Sequence, residues 1–226
     1  MPIEVKPLVK RLRLGSAPAI GPKSYEGDLD GRPVVATVTG MGTALATAGT
    51  ERLLEAREIA HVVVVGITGG VENDTTIGTL VMPESVVNSH TDEVFTPAPL
   101  GDHQTRGILW TTDVILSGAG HLDGLREKGV IGLDMETAAI AKVCETRGIP
   151  WSVFRVISDR PDDEVDEAVF KLSNQDGTPN PANIARYMVT HPGRLPAMAR
   201  MGKNVKLATE RAAVAAIAAC RAATSP

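Results

Sequence analysis

The sequence predicts an α/β fold: a single domain on a twisted, mixed, mostly parallel central sheet flanked by helices, with a helical extension at the C-terminus. Three observations predict it. Residues 62–65 (VVVV) are an unbroken β-branched run, the mark of a strand buried on both faces. Residues 150–159 (PWSVFRVISD) carry a second apolar strand that ends on Ser158-Asp159. Such strands alternate with helical segments, the pattern that builds a parallel sheet covered by helices. The 226 residues fit residues 1–170 as the α/β domain and 171–226 as a helical extension packing on it.

Composition narrows the function. Aromatic residues are only 3% of the chain, too few for a base-stacking nucleic-acid surface, and the net charge of −4 argues against a general polyanion binder. No nucleic-acid partner is expected. Cys144 and Cys220 sit in Ala-rich helical contexts without metal-ligand spacing, as reduced packing residues do. Neither a metal nor a cofactor is expected. No apolar run reaches transmembrane length and the N-terminus lacks a signal peptide's apolar core, so the expected compartment is the cytoplasm.

The elements follow in order. Residues 3–14 place Val5, Leu8, Val9 and Leu12 on one helical face, and Pro7 confines the helix start almost to Met1. Residues 24–29 and 33–39 read as strands of a hairpin turning at Asp30-Gly31. Gly40-Met41-Gly42-Thr43 then leads into a helix over 44–59. The strand at 62–65 ends in Gly66-Ile67-Thr68-Gly69-Gly70, and a strand is expected over 79–88. Residues 90–100 are irregular, 108–110 and 114–116 flank Thr111-Thr112-Asp113, and 121–128 is helical. After an acidic run (162–167) and a turn-rich linker (174–181), a helix starting at Ile184 breaks at His191-Pro192-Gly193. A long Ala-rich helix follows, with Leu195, Met198, Met201, Val205 and Ala208 on one stripe.

The chemistry centres on residues 130–159. Glu136 opens a small-residue helix, the chain turns at Gly148-Ile149-Pro150, and Asp159 closes the next strand, so one helix–turn–strand unit aims two carboxylates. Taken alone, Glu136 reads more simply as a helix N-terminal charge favoured by the macrodipole, and Asp159 as a strand-end cap. The Gly40–Gly42 turn offers backbone N–H groups at a helix start, which suit an anion or polar ligand atom, or is simply a tight turn; Rossmann spacing is absent. The glycines at 66, 69 and 70 either let backbone approach a ligand or supply positive φ in a turn. Gly40–Thr43, Gly66–Gly70 and Ser158-Asp159 are all expected at one carboxyl edge of the sheet, where α/β folds collect ligands.

Residues 133–144 (LDMETAAIAKVC) followed by 150–159 (PWSVFRVISD) resemble the signature of the methylthioadenosine/S-adenosylhomocysteine nucleosidases, a group within the nucleoside phosphorylase superfamily. Tyr25-x-Gly27, Gly40-Met41-Gly42 and Gly66-x-x-Gly69-Gly70 fall in that family's order and spacing, and the resemblance covers residues 3 to 165. It implies hydrolysis of the N-glycosidic bond of a purine nucleoside modified at the 5′ position. Asp159 would protonate the departing base, Ser158 would position it, Glu136 would hold the ribose hydroxyls and Met135 would pack on the sugar, with Met41, Gly42 and Gly69 also at the substrate. Physical chemistry supports those roles: the oxocarbenium-like transition state needs an acid on the leaving base, and a carboxylate accepts both hydroxyls of a diol.

The resemblance also implies a water-activating glutamate in a Met-x-x-Glu-Val context, which Met1 to Val5 match, making Glu4 the candidate. The family carries a strand ahead of this point, so either the sequence begins too late or the sheet lacks a strand and Glu4 lies at a frayed terminus; a late start is the preferred reading. The base pocket would use backbone at 114–116, with Ile115 and Leu116 at the base and Ile115 where relatives stack a phenylalanine. Phe95 would wall the 5′ side. Phosphorylases of the superfamily place an arginine on the strand before the Gly-rich turn; residues 62–65 contain none, so water is the expected nucleophile. The basic tail (Arg186, Arg194, Arg200, Lys203, Lys206, Arg211) resembles the ending of hopanoid-pathway relatives. It is read as a helix packed on the domain or a partner subunit with its charges in water, in preference to contact with a membrane surface. A homodimer is implied by family analogy. The alternatives are an adenosylhopane- or futalosine-type nucleosidase, a phosphate-dependent phosphorylase, and a non-catalytic nucleoside binder.

Overall fold

The computed structural model describes residues 1–114, 119–163, 172, 174, 178 and 180–223. Helix α1 (Pro2–Leu12) packs Val5 and Pro7 inward and ends on Arg13 in the left-handed conformation, which turns the chain into a small antiparallel sheet. That sheet is β1 (Gly15–Ser16), β2 (Ser24–Leu29) and β3 (Arg32–Thr37). Helix α2 (Thr43–Ala56) leads to β4 (Val62–Gly70), β5 (Leu80–Val81), β6 (Ser85–Asn88), β7 (Val94–Phe95) and β8 (Ile108–Thr111). Helix α3 (Ala119–Glu127), β9 (Val130–Asp134), α4 (Thr137–Thr146) and β10 (Trp151–Asp159) complete the main unit. Helix α5 (Pro181–Thr190), a 3₁₀ turn (Pro192–Arg194) and α6 (Leu195–Ala222) follow.

The seven-stranded sheet has the order β5-β10-β4-β9-β8-β6-β7. Its long register is parallel: β10 runs beside β4 from Trp151 opposite Val62 to Asp159 opposite Gly69. The β6–β8 and β8–β9 pairs are also parallel, whereas β5–β10, β4–β9 and β6–β7 are antiparallel, so the sheet is the mixed one expected. Alternate residues feed two cores. Val62, Val64, Trp151 and Val153 face α2 and α4, meeting Ala46, Ala138, Ala139 and Ala141. Phe154 and Val156 face α6, meeting Ala208, Ala212, Ala216 and Ala219. Alanine at these positions lets both helices lie close to the sheet. Fully burying a side chain such as Phe154, which is 0% exposed, contributes roughly 1.5–3 kcal/mol.

Three expectations change. First, β4 does not end at Val65 but runs on through the glycines to Gly70. Gly66, Gly69 and Gly70 have ordinary extended backbone, so they are not turn glycines. They remain strand because β10 pairs with Gly66 and Gly69 on one side and β9 with Gly69 and Gly70 on the other. Second, the strand expected over 79–88 divides. Pro83 is buried and lacks an N–H; Met82 and Glu84 instead bond Arg106 and Gly107, and the chain passes from the β10 edge to β8. With so few residues joining β5 to β6, the sheet must curl. Third, burial on α6 is concentrated in its second half: Ala208, Thr209, Ala212, Ala213, Ala216 and Ile217 are buried, while Met198, Met201 and Val205 of the expected stripe are half-buried and Leu195 is 39% exposed. A 28-residue helix is about 42 Å long, and the nine-residue strands beneath it span about 30 Å, so its first half passes the edge of the sheet.

Helix α5 starts earlier than Ile184 because Asn180 caps it, its side-chain oxygen accepting from Ala182 N (3.1 Å) and Asn183 N (3.2 Å). Most of the acidic run 162–167 and of the linker 174–181 lies outside the described residues. Among the described residues no helix is long and apolar enough to cross a membrane, and no group of acidic, histidine or cysteine side chains could hold a metal ion.

Candidate active site

The hairpin β2–β3 delivers the chain into Gly40-Met41-Gly42. Gly40 (φ 103°) and Gly42 (φ 89°) both occupy the left-handed region, where other side chains are strained, and this aims the Gly42 N–H away from α2. That N–H donates to Glu136 Oε1 at 3.1 Å. Asp113, at the end of β8, fixes the same turn from outside: its carboxylate accepts from Thr43 N (2.8 Å) and Thr43 Oγ1 (2.6 Å). Met41 and Met135 are half-buried on the two segments that meet here.

Glu136 stands at the N-cap position of α4 but makes no capping bond with its side chain. Its second oxygen accepts instead from Arg155 Nη2 at 3.3 Å. Arg155 is the only cation of β10, 4% exposed, and it sits in a nest of carboxylates. It donates to Asp134 through Nη2 and to Ile67 O through Nη1 (3.2 Å), and Glu4 Oε1 lies 3.7 Å away. Asp134, 6% exposed, also accepts from Thr111 Oγ1 (2.6 Å), Thr137 N (3.0 Å) and Thr137 Oγ1. Burial raises the Glu136 pKa to about 7; Arg155 and the Gly42 N–H pull it down, and Asp134 and Glu4 push it further up. Burial works against the charge of Arg155, but Asp134, Glu136 and Glu4 together hold it firmly protonated.

Glu4 is anchored rather than frayed. Its Oε1 accepts from Ile67 N at 3.0 Å, and its Oε2 pairs with the Met1 ammonium. Gly66 makes the room: a Cβ there would collide with Glu4 Oε1 and come within 2.5 Å of Arg155 Nη1.

Asp159 ends β10 after a register shift at Ser158, a bulge that re-aims the last side chain. Ser158 Oγ donates to Asp159 Oδ1 at 2.6 Å. The other oxygen, Oδ2, would be 2.9 Å from a Cβ on Gly69, so glycine is needed opposite it. Burial raises the Asp159 pKa, the Ser158 hydrogen bond lowers it, and Asp163 raises it again. Arg155 is level with Gly66 and Asp159 with Gly69, a separation of about 10 Å along the strand. The carboxylates grouped on Arg155 and the carboxyl group of Asp159 thus belong to the same pair of strands, β4 and β10.

The structure thus brings Glu4, Glu136 and Gly42 together around Arg155, with Met41 and Met135 on the adjoining segments, and groups Gly69, Ser158 and Asp159 further along the same pair of strands. Gly66–Gly70 and Ser158-Asp159 lie at the carboxyl ends of the parallel pair β4 and β10, as expected, while Gly40–Thr43 follows β3 of the smaller sheet and β9 meets β4 antiparallel at Gly69 and Gly70. Phe95 is a correction: its ring is 4% exposed in the core with Ala138, Ala139 and Leu109, so it walls no part of the cleft. Ile115 and Leu116 lie outside the described residues. Sequence reasoning missed Arg155, Asp134 and Asp113. Arg155 carried a signal, as a lone cation within an otherwise apolar strand (WSVFRVIS). Asp134 and Asp113 carried none beyond their position at strand ends.

The sequence profile of the phosphorylase superfamily matches residues 1–106 and 98–190. The chain belongs to the phosphorylase superfamily. It is 28% identical over 169 residues to the 5′-methylthioadenosine/S-adenosylhomocysteine nucleosidase of Chromohalobacter salexigens, covering 62% of this chain and 72% of that protein. Its fold is shared with the 5′-methylthioadenosine/S-adenosylhomocysteine nucleosidase of S. pneumoniae, solved with a transition-state inhibitor. The TM-score is 0.71, at 18% identity, over 98% of this chain and 96% of that one. The futalosine hydrolase of Helicobacter pylori also shares it, with a TM-score of 0.69 at 14% identity over 96% and 94%.

Proposed function

We propose that this protein hydrolyses the N-glycosidic bond of a purine nucleoside modified at the 5′ position, of the methylthioadenosine/S-adenosylhomocysteine type. The observation that carries the reading is the pairing of two buried carboxyl groups with different surroundings, Asp159 on a serine hydroxyl and Glu136 on an arginine and a backbone N–H. Asp159 donates its proton to a ring nitrogen of the purine as the C1′–N bond breaks. Glu136 accepts from the ribose hydroxyls and holds the sugar as positive charge develops on it. Glu4 takes a proton from the water whose oxygen bonds C1′, so the products are free base and free sugar. Met135 and Met41 flank the sugar.

Water is favoured over phosphate because Arg155 is engaged with Asp134, Glu136 and Ile67 O and is 4% exposed, leaving its guanidinium no open side for a phosphate dianion. A second reading, a larger 5′ substituent of the futalosine or adenosylhopane kind, is favoured by the burial of Phe95, which takes an aromatic wall from the 5′ side. Incubation with a panel of 5′-modified purine nucleosides, with and without phosphate, tests all of this by chromatography of the released base. Release of base with free sugar, indifferent to phosphate, is the expected result. Sugar 1-phosphate as product overturns hydrolysis, and the absence of any released base across the panel overturns the enzyme reading.

A further inference from the structure

Residues 71–79 join β4 to β5 and fold back on the ends of β4 and β10. Two hydrogen-bonded turns shape them: Thr75 N donates to Glu72 O and Thr79 N to Thr76 O, both at 3.1 Å. In the second turn Gly78 (φ 87°) takes the third position, where a type II turn needs the left-handed conformation. Thr75 packs over the end of β4, where a Cβ on Gly70 would lie 2.3 Å from Thr75 Cγ2. Ile77 packs on Val81, Ile131 and Ile157.

The second turn also holds β10. β5 lies against β10 with Val81 opposite Arg155 and Leu80 opposite Val156. The turn carries this pairing one residue further: Ile157 N donates to Thr79 O and Gly78 N to Ile157 O, both at 2.9 Å. On its other edge Ile157 is paired with Thr68 of β4, and the register shift that re-aims Asp159 comes directly after it. What holds the turn, in its own right, is α6. Ala208 and Ala212 lie against Val156 and Leu80, and from the flank of the same helix Arg211 Nη1 donates to Gly78 O at 2.9 Å. The side chain lies so close over the glycine that a Cβ there would come within 2.6 Å of Nη1 and 3.2 Å of Cδ. Gly78 thus gives its N–H to the strand that carries Asp159 and its carbonyl to α6.

We propose that Arg211 is a positioning residue for Asp159, a role that rests on the acid function proposed for Asp159 above. A bulge sets the direction of the side chain that follows it, and a strand end is where backbone opens first. Fixing Ile157 on both edges fixes the direction in which Ser158 and Asp159 leave it. Arg211 acts through Gly78 and Ile157, and the bond to Gly78 O takes a single N–H. A lysine ammonium can therefore meet the same demand.

The test compares the parent with Arg211→Met, which keeps the apolar stem without the donor, and Arg211→Lys, which keeps a donor. Lys206→Met removes another exposed charge of the same helix and is the control. Base release from the panel of 5′-modified purine nucleosides is measured in all four proteins, together with amide exchange at Gly78 and Ile157. In Arg211→Met, kcat should fall about three- to tenfold with KM near the parental value, because the sugar is held by Glu136. Exchange at the two amides should quicken about tenfold, with the melting temperature nearly unchanged. Arg211→Lys should recover most of both effects, and Lys206→Met should match the parent. Parental kcat or parental amide exchange in Arg211→Met overturns the assignment. A loss of kcat matched by Lys206→Met, or one that lysine does not relieve, overturns it as well. A parent that releases no base is the failure of the nucleosidase reading and takes this role with it, whereas an active parent with an unchanged Arg211→Met is the failure of this role alone.

Discussion

Arg155 Nη2 donates to Asp134 and, at 3.3 Å, to Glu136 Oε2, so a single guanidinium holds two carboxylates that leave the end of β9 in opposite directions. Asp134 is turned inward to Thr111 and Thr137, and Glu136 toward the Gly42 N–H. The same guanidinium lies beside Glu4. One cation on β10 thus sets the positions of the sugar-binding and water-activating carboxylates proposed above.

Replacing Arg155 by methionine should therefore be severe. The apolar stem is kept, but Asp134 is left buried with no cation, only the Thr111 and Thr137 hydroxyls and the Thr137 N–H, and Glu136 and Glu4 lose their common partner. Removing one member of a buried ion pair costs about 3–5 kcal/mol, which for a chain of this size lowers the melting temperature by about 6–20 °C. Calorimetry checks it, and a change within two degrees would show that the network contributes nothing to stability.

Glu136 gives a signed pH dependence. Its pKa rises from the ordinary 4.5 to about 7 on folding, so between these values the native protein holds a proton that the unfolded chain has released. The resulting penalty is absent below about pH 4.5 and grows as pH rises through that window. It is complete above about pH 7, where it amounts to roughly 3 kcal/mol. Glu136→Gln removes it. Denaturant melts should find Glu136→Gln more stable than the parent at pH 8 and equal to it near pH 4.5, while nucleoside binding is lost at both.

The sheet and its helices were legible because burial on both faces leaves β-branched runs, and the Met-Glu and Ser-Asp pairs were legible because one opens a small-residue helix and the other closes an apolar strand, in the order the family resemblance requires. Two things were hidden. The glycines of β4 looked like a turn, since sequence cannot say that side chains from elsewhere, Glu4 and Arg155 at Gly66 and Asp159 at Gly69, occupy the space their missing Cβ atoms leave. Phe95 looked like a ligand wall because rarity draws attention to it, yet in a chain with three phenylalanines its volume is needed in the core beneath α4.

Asp159→Asn keeps the shape of the site and removes the proton donor. General acids contribute about 10²- to 10⁴-fold, so kcat should fall by that factor with melting temperature nearly unchanged, since asparagine still accepts from Ser158. Burial raises the Asp159 pKa, so parental activity should decline as pH rises through that value, and the variant should lack this limb. A pH–rate profile that keeps its alkaline limb in the variant would move the acid role elsewhere.

Gly66→Ala separates the position of Glu4 from its chemistry. The Gly66 backbone is extended, so alanine meets no conformational penalty there, and the effect is steric alone. The new methyl falls within 2.5 Å of Arg155 Nη1 and overlaps Glu4 Oε1. Arg155 is fixed by Asp134 and Thr137, so Glu4 is the group that moves, giving up the Ile67 N–H. If Glu4 activates water, kcat should fall about tenfold or more while KM changes little, because Glu136 still holds the sugar. Gly124→Ala is the control: it lies in α3 with nothing within 4 Å of the new methyl, and should stabilise the protein by about 0.5–1 kcal/mol without touching kcat. Unaltered turnover in Gly66→Ala, with Glu4 shown to be displaced, would remove Glu4 from the reaction.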